Sequence, residues 1–271
     1  MAIKLFYFAL AVYCGVFLAL TLMQRTFMYH PEMGEEKTFL ASAPQHNVQP
    51  WRDARGVLIG WKRANAKARN RMLILHGNGG HALSRTYFMD GLGLLGDKNE
   101  WDFYALEYPG YGWRSGSSNE TEIVNAANDA LEELLKEDSR PLFITGESLG
   151  TGVACLLAGK HPKQIRGLFL ATPYTSTVDV AVGRFPIFPT RLVMQDKYEA
   201  AAALKEYSGP VAVLLAGEDY IVPTRFGQKL FDDYRGPKKL WVQQNAGHNS
   251  LDYNPKAAWW KEVSDFLTQR R

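Results

Sequence analysis

Two cysteines, Cys14 and Cys155, are all that a chain of 271 residues contains. One lies in an apolar N-terminal run and the other far along, in a helical pattern, so no disulfide framework is indicated. Cys155 reads as a small buried hydrophobe. An excess of one charge is also missing. Lys and Arg number 31 against 28 Asp and Glu, for a net charge of +3. Without a basic block, nucleic acid is not implied as a partner. The densest basic stretch, residues 62–71, lies between two strand patterns and reads as a solvated loop. No internal repeat and no low-complexity tract is present.

Charge is absent altogether from Leu5 to Met23. As a helix this run measures about 28 Å at about 1.5 Å per residue, close to the thickness of a hydrocarbon core. Lys4 precedes it and Gln24-Arg25 closes it. Small residues suited to cleavage are lacking at its end, which reads Leu20-Thr21-Leu22-Met23. Residues 1–24 therefore read as an uncleaved membrane anchor rather than a removed signal. The flanking charges (Lys4 and the start amine before, Arg25 and Lys37 after) give a weak orientation signal. The reading taken is a single-pass membrane protein with a cytoplasmic N-terminus and the larger domain, 25–271, on the non-cytoplasmic side.

With 46% hydrophobic residues overall, the chain has ample material for one large core. Short apolar runs at 56–61, 72–75, 103–106, 168–171, 211–215 and 240–242 read as strands. Helical patterns fall between them at 82–95 and 122–137, with a last one at 257–267. Such alternation predicts an α/β fold: a mostly parallel central sheet with helices on both faces. Residues 177–208 interrupt the rhythm, and read either as a small flap over a pocket or as a crossover helix with a decorated loop.

The most informative segment is Leu142–Gly150, Leu-Phe-Ile-Thr-Gly-Glu-Ser-Leu-Gly. An apolar strand runs into Gly146-Glu147-Ser148-Leu149-Gly150, and a helical pattern follows at once, as in a nucleophile elbow. A nucleophilic serine at a tight turn takes positive φ, and neighbours two residues away must be nearly free of side chain. A serine hydroxyl also needs a base, and the base an orienting acid. Asp219 and His248 follow in that order, each just past a strand pattern, where open α/β sheets bind ligands. Each has a rival reading: Glu218 could be the acid, Asp219 a helix cap, and His248 a surface histidine like His30, His46 and His161. An oxyanion hole would take one donor from the Leu149 N–H and another from the loop His76-Gly77-Asn78-Gly79-Gly80. No Lys-Ser/Thr follows those glycines, so a P-loop is not indicated. His76 reads as a loop-shaping residue.

With these pieces in place the chain resembles the α/β-hydrolase superfamily. More narrowly, it is similar to the membrane-anchored, small-lid serine hydrolases of the α/β-hydrolase-domain group, which includes protein depalmitoylases, and to their bacterial relatives. The matching stretches run from Gln24-Arg25-Thr26-Phe27-Met28-Tyr29-His30-Pro31 through His76–Gly80, Tyr108-Pro109-Gly110-Tyr111-Gly112 with Ser115 and Gly116, and the elbow. Gly217-Glu218-Asp219 with Pro223 and Gly247-His248-Asn249 complete them. The resemblance implies Ser148 as nucleophile, Asp219 as acid, His248 as base, and the main-chain N–H groups of Asn78 and Leu149 as oxyanion donors. It departs at Arg114, where relatives usually have serine, a change expected near the pocket rim.

The expected function is hydrolysis of an ester or thioester through an acyl-enzyme, with no cofactor and no metal. Alternatives are acyl transfer to an acceptor other than water, or a catalytically silent membrane-tethered interaction protein. The anchor points to acyl lipids or lipidated proteins as substrates, on grounds of location alone. Phe185, Phe188 and Trp113 read equally as acyl-site lining or as core. Nothing in the sequence indicates an oligomeric state.

Overall fold

A computed structural model of the protein describes residues 1–95 and 101–268. The chain opens with a long helix, α1 (Ala2–Met28), and a two-residue strand, β1 (His30–Pro31). There follow α2 (Glu36–Ser42), β2 (Gln49–Arg52), β3 (Leu58–Arg63), β4 (Asn70–Leu75), the short β5 (Gly79–Gly80), α3 (Tyr87–Leu95) and β6 (Trp101–Leu106). Then come α4 (Glu120–Glu137), β7 (Leu142–Glu147), α5 (Leu149–Lys160), β8 (Ile165–Ala171), α6 (Thr177–Arg184), α7 (Thr190–Val193) and α8 (Ala200–Ala203). The chain closes with β9 (Val211–Ala216), α9 (Thr224–Asp233), β10 (Lys238–Gln243) and α10 (Trp259–Thr268).

Eight strands form one sheet in the order β10-β9-β8-β7-β4-β6-β3-β2. The six from β10 to β6 are parallel, whereas β3 and β2 join antiparallel at one edge. Period-two alternation decides which way each strand's side chains point. Along β4, Leu73 and Leu75 enter the core that holds α4 and α5, while Met72 and Ile74 enter the opposite core under α3 and α10. Both faces being covered, these strands read as continuous apolar runs. Helix α4 starts at Asn119, whose side chain accepts the Glu122 N–H, and buries Ile123, Ala127, Ala130, Leu131 and Leu134 along one face.

The mostly parallel sheet covered on both faces is the predicted one, with differences at the edges. The strand expected from residue 56 begins at Leu58, because Gly56 turns the chain at φ +80°. The pattern at 82–95 divides into a 3₁₀ turn, Ala82–Arg85, and α3. Strand β2 was not anticipated: it is an edge strand carrying Pro50, with only Trp51 buried, so its pattern is faint. The basic stretch 62–71 is not simply solvated loop. Arg63 ends β3 and pairs with Asp90 at 2.7 Å. Arg71 lies on β4, fully buried, and donates to the carbonyls of Leu134, Asp138 and Arg140. It thereby satisfies carbonyls at the end of α4 that the helix leaves unpaired.

Helix α1 runs unbroken past residue 24 to Met28, and none of its residues is buried. Its partly covered positions are Tyr13, Phe17, Leu20, Thr21, Gln24 and Met28, a stripe at helical spacing. That stripe packs on residues 185–196. Phe188 stacks on Tyr13 at 4.9 Å and on Phe17 at 5.7 Å between ring centroids. Tyr13 donates its hydroxyl hydrogen to the Ile187 carbonyl, and the Gln24 side chain bonds Val193 and Gln195. Arg25 grips the buried Asp196 at 2.8 and 3.2 Å.

Candidate active site

Ser148 sits between β7 and α5 with φ +49° and ψ −117°, a strained conformation for a residue with a side chain. The flanking glycines allow it. A Cβ on Gly146 would lie 2.4 Å from the Gly150 carbonyl oxygen, and one on Gly150 would lie 2.1 Å from that of Leu75. Neither backbone can yield without opening the contact between α5 and the sheet. Gly150→Ala is therefore expected to cost about 3 kcal/mol of stability. A thermal midpoint equal to that of the wild type would refute this packing argument.

Three side chains meet at this turn. His248, in the loop after β10, places Nε2 2.9 Å from Ser148 Oγ and Nδ1 2.7 Å from Asp219 Oδ2. Asp219 Oδ1 accepts the N–H groups of Ile221 and Val222, which fixes the carboxylate's rotation. The helix-cap rival is thus realised only in part, in the turn ahead of α9. Glu218 is exposed, whereas Asp219 is buried and faces the imidazole. The spacing suits relay of one proton: the carboxylate holds Nδ1–H, leaving Nε2 to accept from the hydroxyl.

Leu149 is the first residue of α5, so its N–H has no helical carbonyl to meet. Asn78 and Leu149 both face a cavity beside Ser148. The turn carrying Asn78 is held from several sides. Its side chain donates to the Met28 carbonyl at the end of α1, and its own carbonyl accepts from the His30 N–H and the Tyr111 hydroxyl. β1 pairs in parallel with β5, two residues either side of the same link. His76 is buried, stacked on Tyr108 at 3.9 Å and 3.1 Å from Glu107, in the structural position expected of it.

A cavity of about 660 Å³ adjoins Ser148, Leu149 and Asn78. Phe185 and Phe188 line it, but Trp113 does not. Trp113 packs on Phe39 and Trp61 in the core and donates to the Leu58 carbonyl. Arg114 also lies away from the cavity lining, donating to the Glu107 carbonyl, so the expected change at the rim does not arise. Among the described residues no group of three or more metal-ligating side chains comes together.

One network escaped the sequence reading. Glu147, beside Ser148, accepts from Arg85 and the Tyr87 hydroxyl, and lies 3.4 Å from that of Tyr253. Arg85 in turn donates to the Gly79 carbonyl at 2.9 Å, joining the elbow to the loop of Asn78. Burial opposes the guanidinium's charge, but Glu147 outweighs it and the Arg85 pKa is raised. Burial first and the Glu147 charge second push Tyr87 well above the ordinary phenol range, so it stays a donor. Arg85→Ala would free the Asn78 loop. In the oxyanion role expected of Asn78, a donor is worth about 10²–10³ in kcat, so its partial misplacement is expected to lower kcat about tenfold with KM little changed, Arg85→Lys recovering part. A kcat within twofold of wild type would remove Arg85 from this positioning role. The only hint in the sequence was an acidic residue inside the elbow, and its partners are distant in the chain.

A family model for the alpha/beta hydrolase fold matches residues 70–197. An uncharacterized protein of Mycobacterium tuberculosis is 27% identical over 264 residues, spanning 94% of this chain and 91% of that protein. Alpha/beta hydrolase domain-containing protein 17B of Xenopus tropicalis is 26% identical over 213 residues, 76% of this chain and 69% of its own. Among solved structures, an esterase of Pyrococcus furiosus superposes with a TM-score of 0.63 at 15% identity, covering 89% of this chain and 98% of the esterase.

Proposed function

Given that the chain belongs to the α/β-hydrolase superfamily, we propose that it is a serine hydrolase cleaving a carboxylic ester or thioester through an acyl-enzyme at Ser148. The observation that carries this reading is the unbroken line Asp219–His248–Ser148, with links of 2.7 and 2.9 Å, at the wall of an apolar cavity. Ser148 Oγ attacks the acyl carbon while His248 Nε2 takes the hydroxyl proton. The tetrahedral oxygen carries the negative charge, which the N–H groups of Asn78 and Leu149 receive. Collapse expels the alcohol or thiol, protonated by His248, and leaves the acyl ester on Ser148. Water, deprotonated by the same imidazole, then releases the acid and restores the serine.

Helix α1 is read as the membrane anchor of this enzyme, with the catalytic domain on the non-cytoplasmic side. Its support is a 27-residue helix with a mean hydropathy of 2.2 over its most apolar window and no buried residue. Residues 177–208 are read as a flap, since α6 and α7 both contribute to the cavity wall.

Fluorophosphonate labelling of the full chain, followed by mapping of the modified residue, tests the nucleophile. Label on Ser148 is the expected result, and wild-type protein that takes none would sink the proposal. Product analysis with added alcohol acceptors separates hydrolysis, which yields free acid, from acyl transfer.

A further inference from the structure

Helix α1 does more than lead up to the domain: it is a wall of the candidate active site. Phe17, Leu20, Thr21 and Phe27 of α1 line the same cavity as Ser148, together with Phe185 and Phe188. A hydrocarbon core is about 30 Å thick and takes about 20 helical residues. The part of α1 that stands clear of the domain, residues 2–12, measures only about 16 Å at 1.5 Å per residue. Spanning therefore draws in the turns around Phe17 and Thr21, and with them the segment stacked on those turns.

Two side chains fit that segment, residues 185–193, for hydrocarbon, and its one charge, Arg191, is paired with Asp179 at 2.7 Å. Ile187 is 71% exposed and Leu192 is 84% exposed, and neither lines the cavity. The residues that both line the cavity and stand exposed mark its mouth, and Phe27, Phe185, Tyr220 and Ile221 form an apolar rim there. Contiguous apolar exposure of this kind marks an interaction surface. Two exposed arginines, Arg184 and Arg225, share the rim and suit the phosphate level of a bilayer.

We infer that residues 185–193 lie in the outer part of the bilayer beside α1, so that the cavity opens into lipid and the substrate is a bilayer-resident acyl ester whose chain enters sideways between α1 and α6–α7. This rests on the hydrolase and anchor readings above. The chain slides from one apolar medium to another, so it crosses no water on the way to Ser148.

The test uses the full chain in phosphatidylcholine vesicles and compares a palmitoyl ester dissolved in the vesicles with the acetyl ester of the same fluorogenic alcohol in water. The wild type is expected to favour the vesicle-borne ester. The double variant Ile187→Asp, Leu192→Asp sets charge in hydrocarbon and should lower the palmitoyl-to-acetyl ratio of kcat/KM about tenfold or more. Labelling by a water-soluble fluorophosphonate reports that the variant is folded, and if it is not, Leu192→Asn alone is read in its place. An unchanged ratio in a labelled variant, or a wild type that favours the acetyl ester, overturns sideways entry and leaves the hydrolase reading standing. Wild-type protein that neither labels nor cleaves either ester overturns the hydrolase reading itself.

Discussion

On the proposed mechanism, Ser148→Ala is expected to lower kcat for any ester substrate by about 10⁵–10⁶-fold, because a nucleophile, its base and its acid act as a unit. Among the described residues the hydroxyl it deletes makes one hydrogen bond, to His248 at 2.9 Å. Its loss is worth about 1 kcal/mol, so the chain should remain folded with a thermal midpoint within a few degrees of wild type. The elbow itself does not depend on the hydroxyl. It is held by the bond from the Ser148 N–H to the Ala171 carbonyl and by the Thr151 N–H and hydroxyl donating to the Ser148 carbonyl. Steady-state kinetics with fluorophosphonate labelling check the result. A variant that keeps more than about 1% of wild-type activity, or still takes the label, would place the nucleophile elsewhere.

The second large effect is Asp219→Asn, expected to lower kcat about 10⁴-fold. The carboxylate at 2.7 Å accepts Nδ1–H of His248 and so leaves Nε2 free to take the serine proton. An amide can present N–H₂ there instead, favouring the tautomer whose Nε2 already carries hydrogen. The imidazolium formed during attack would also lose its negative partner. Because asparagine retains a carbonyl oxygen, the bonds from the N–H groups of Ile221 and Val222 can survive, and the loop should keep its shape. Glu218→Gln is the matched control, since that side chain is exposed while Asp219 holds the imidazole. Should the glutamine variant lose activity while the asparagine variant keeps it, the acid has been misassigned.

The predicted strands and the order Ser148, Asp219, His248 could be read in the sequence because they rest on local regularities. Two-sided burial makes a strand continuously apolar, and the α5–sheet contact forces glycine at 146 and 150. Asp219 is preferred to Glu218 on the resemblance, while the residues alone leave Glu218 as a rival. Adjacent acidic residues look alike in a sequence, and only the turn at 219–222 aims one carboxylate at His248. Arg71 was misread for a similar reason, since its composition is that of a loop, yet its partners are carbonyls some sixty residues away. Trp113, an equal candidate with Phe185 and Phe188, was sorted into the core by its neighbours Phe39 and Trp61.

The sequence by itself determined the α/β class, the strand–turn–helix at Ser148 and a nineteen-residue uncharged run from Leu5 to Met23. Those features are written in short periods of hydrophobicity and in positions that only glycine can occupy. Tertiary structure alone decided that the uncharged run and the elbow belong to one site. Tyr13, Phe17 and Gln24 meet residues 187–195, and Met28 meets Asn78, across long gaps in the chain. Contacts at such separation depend on where the sheet order carries each loop, and no local pattern of residues encodes that.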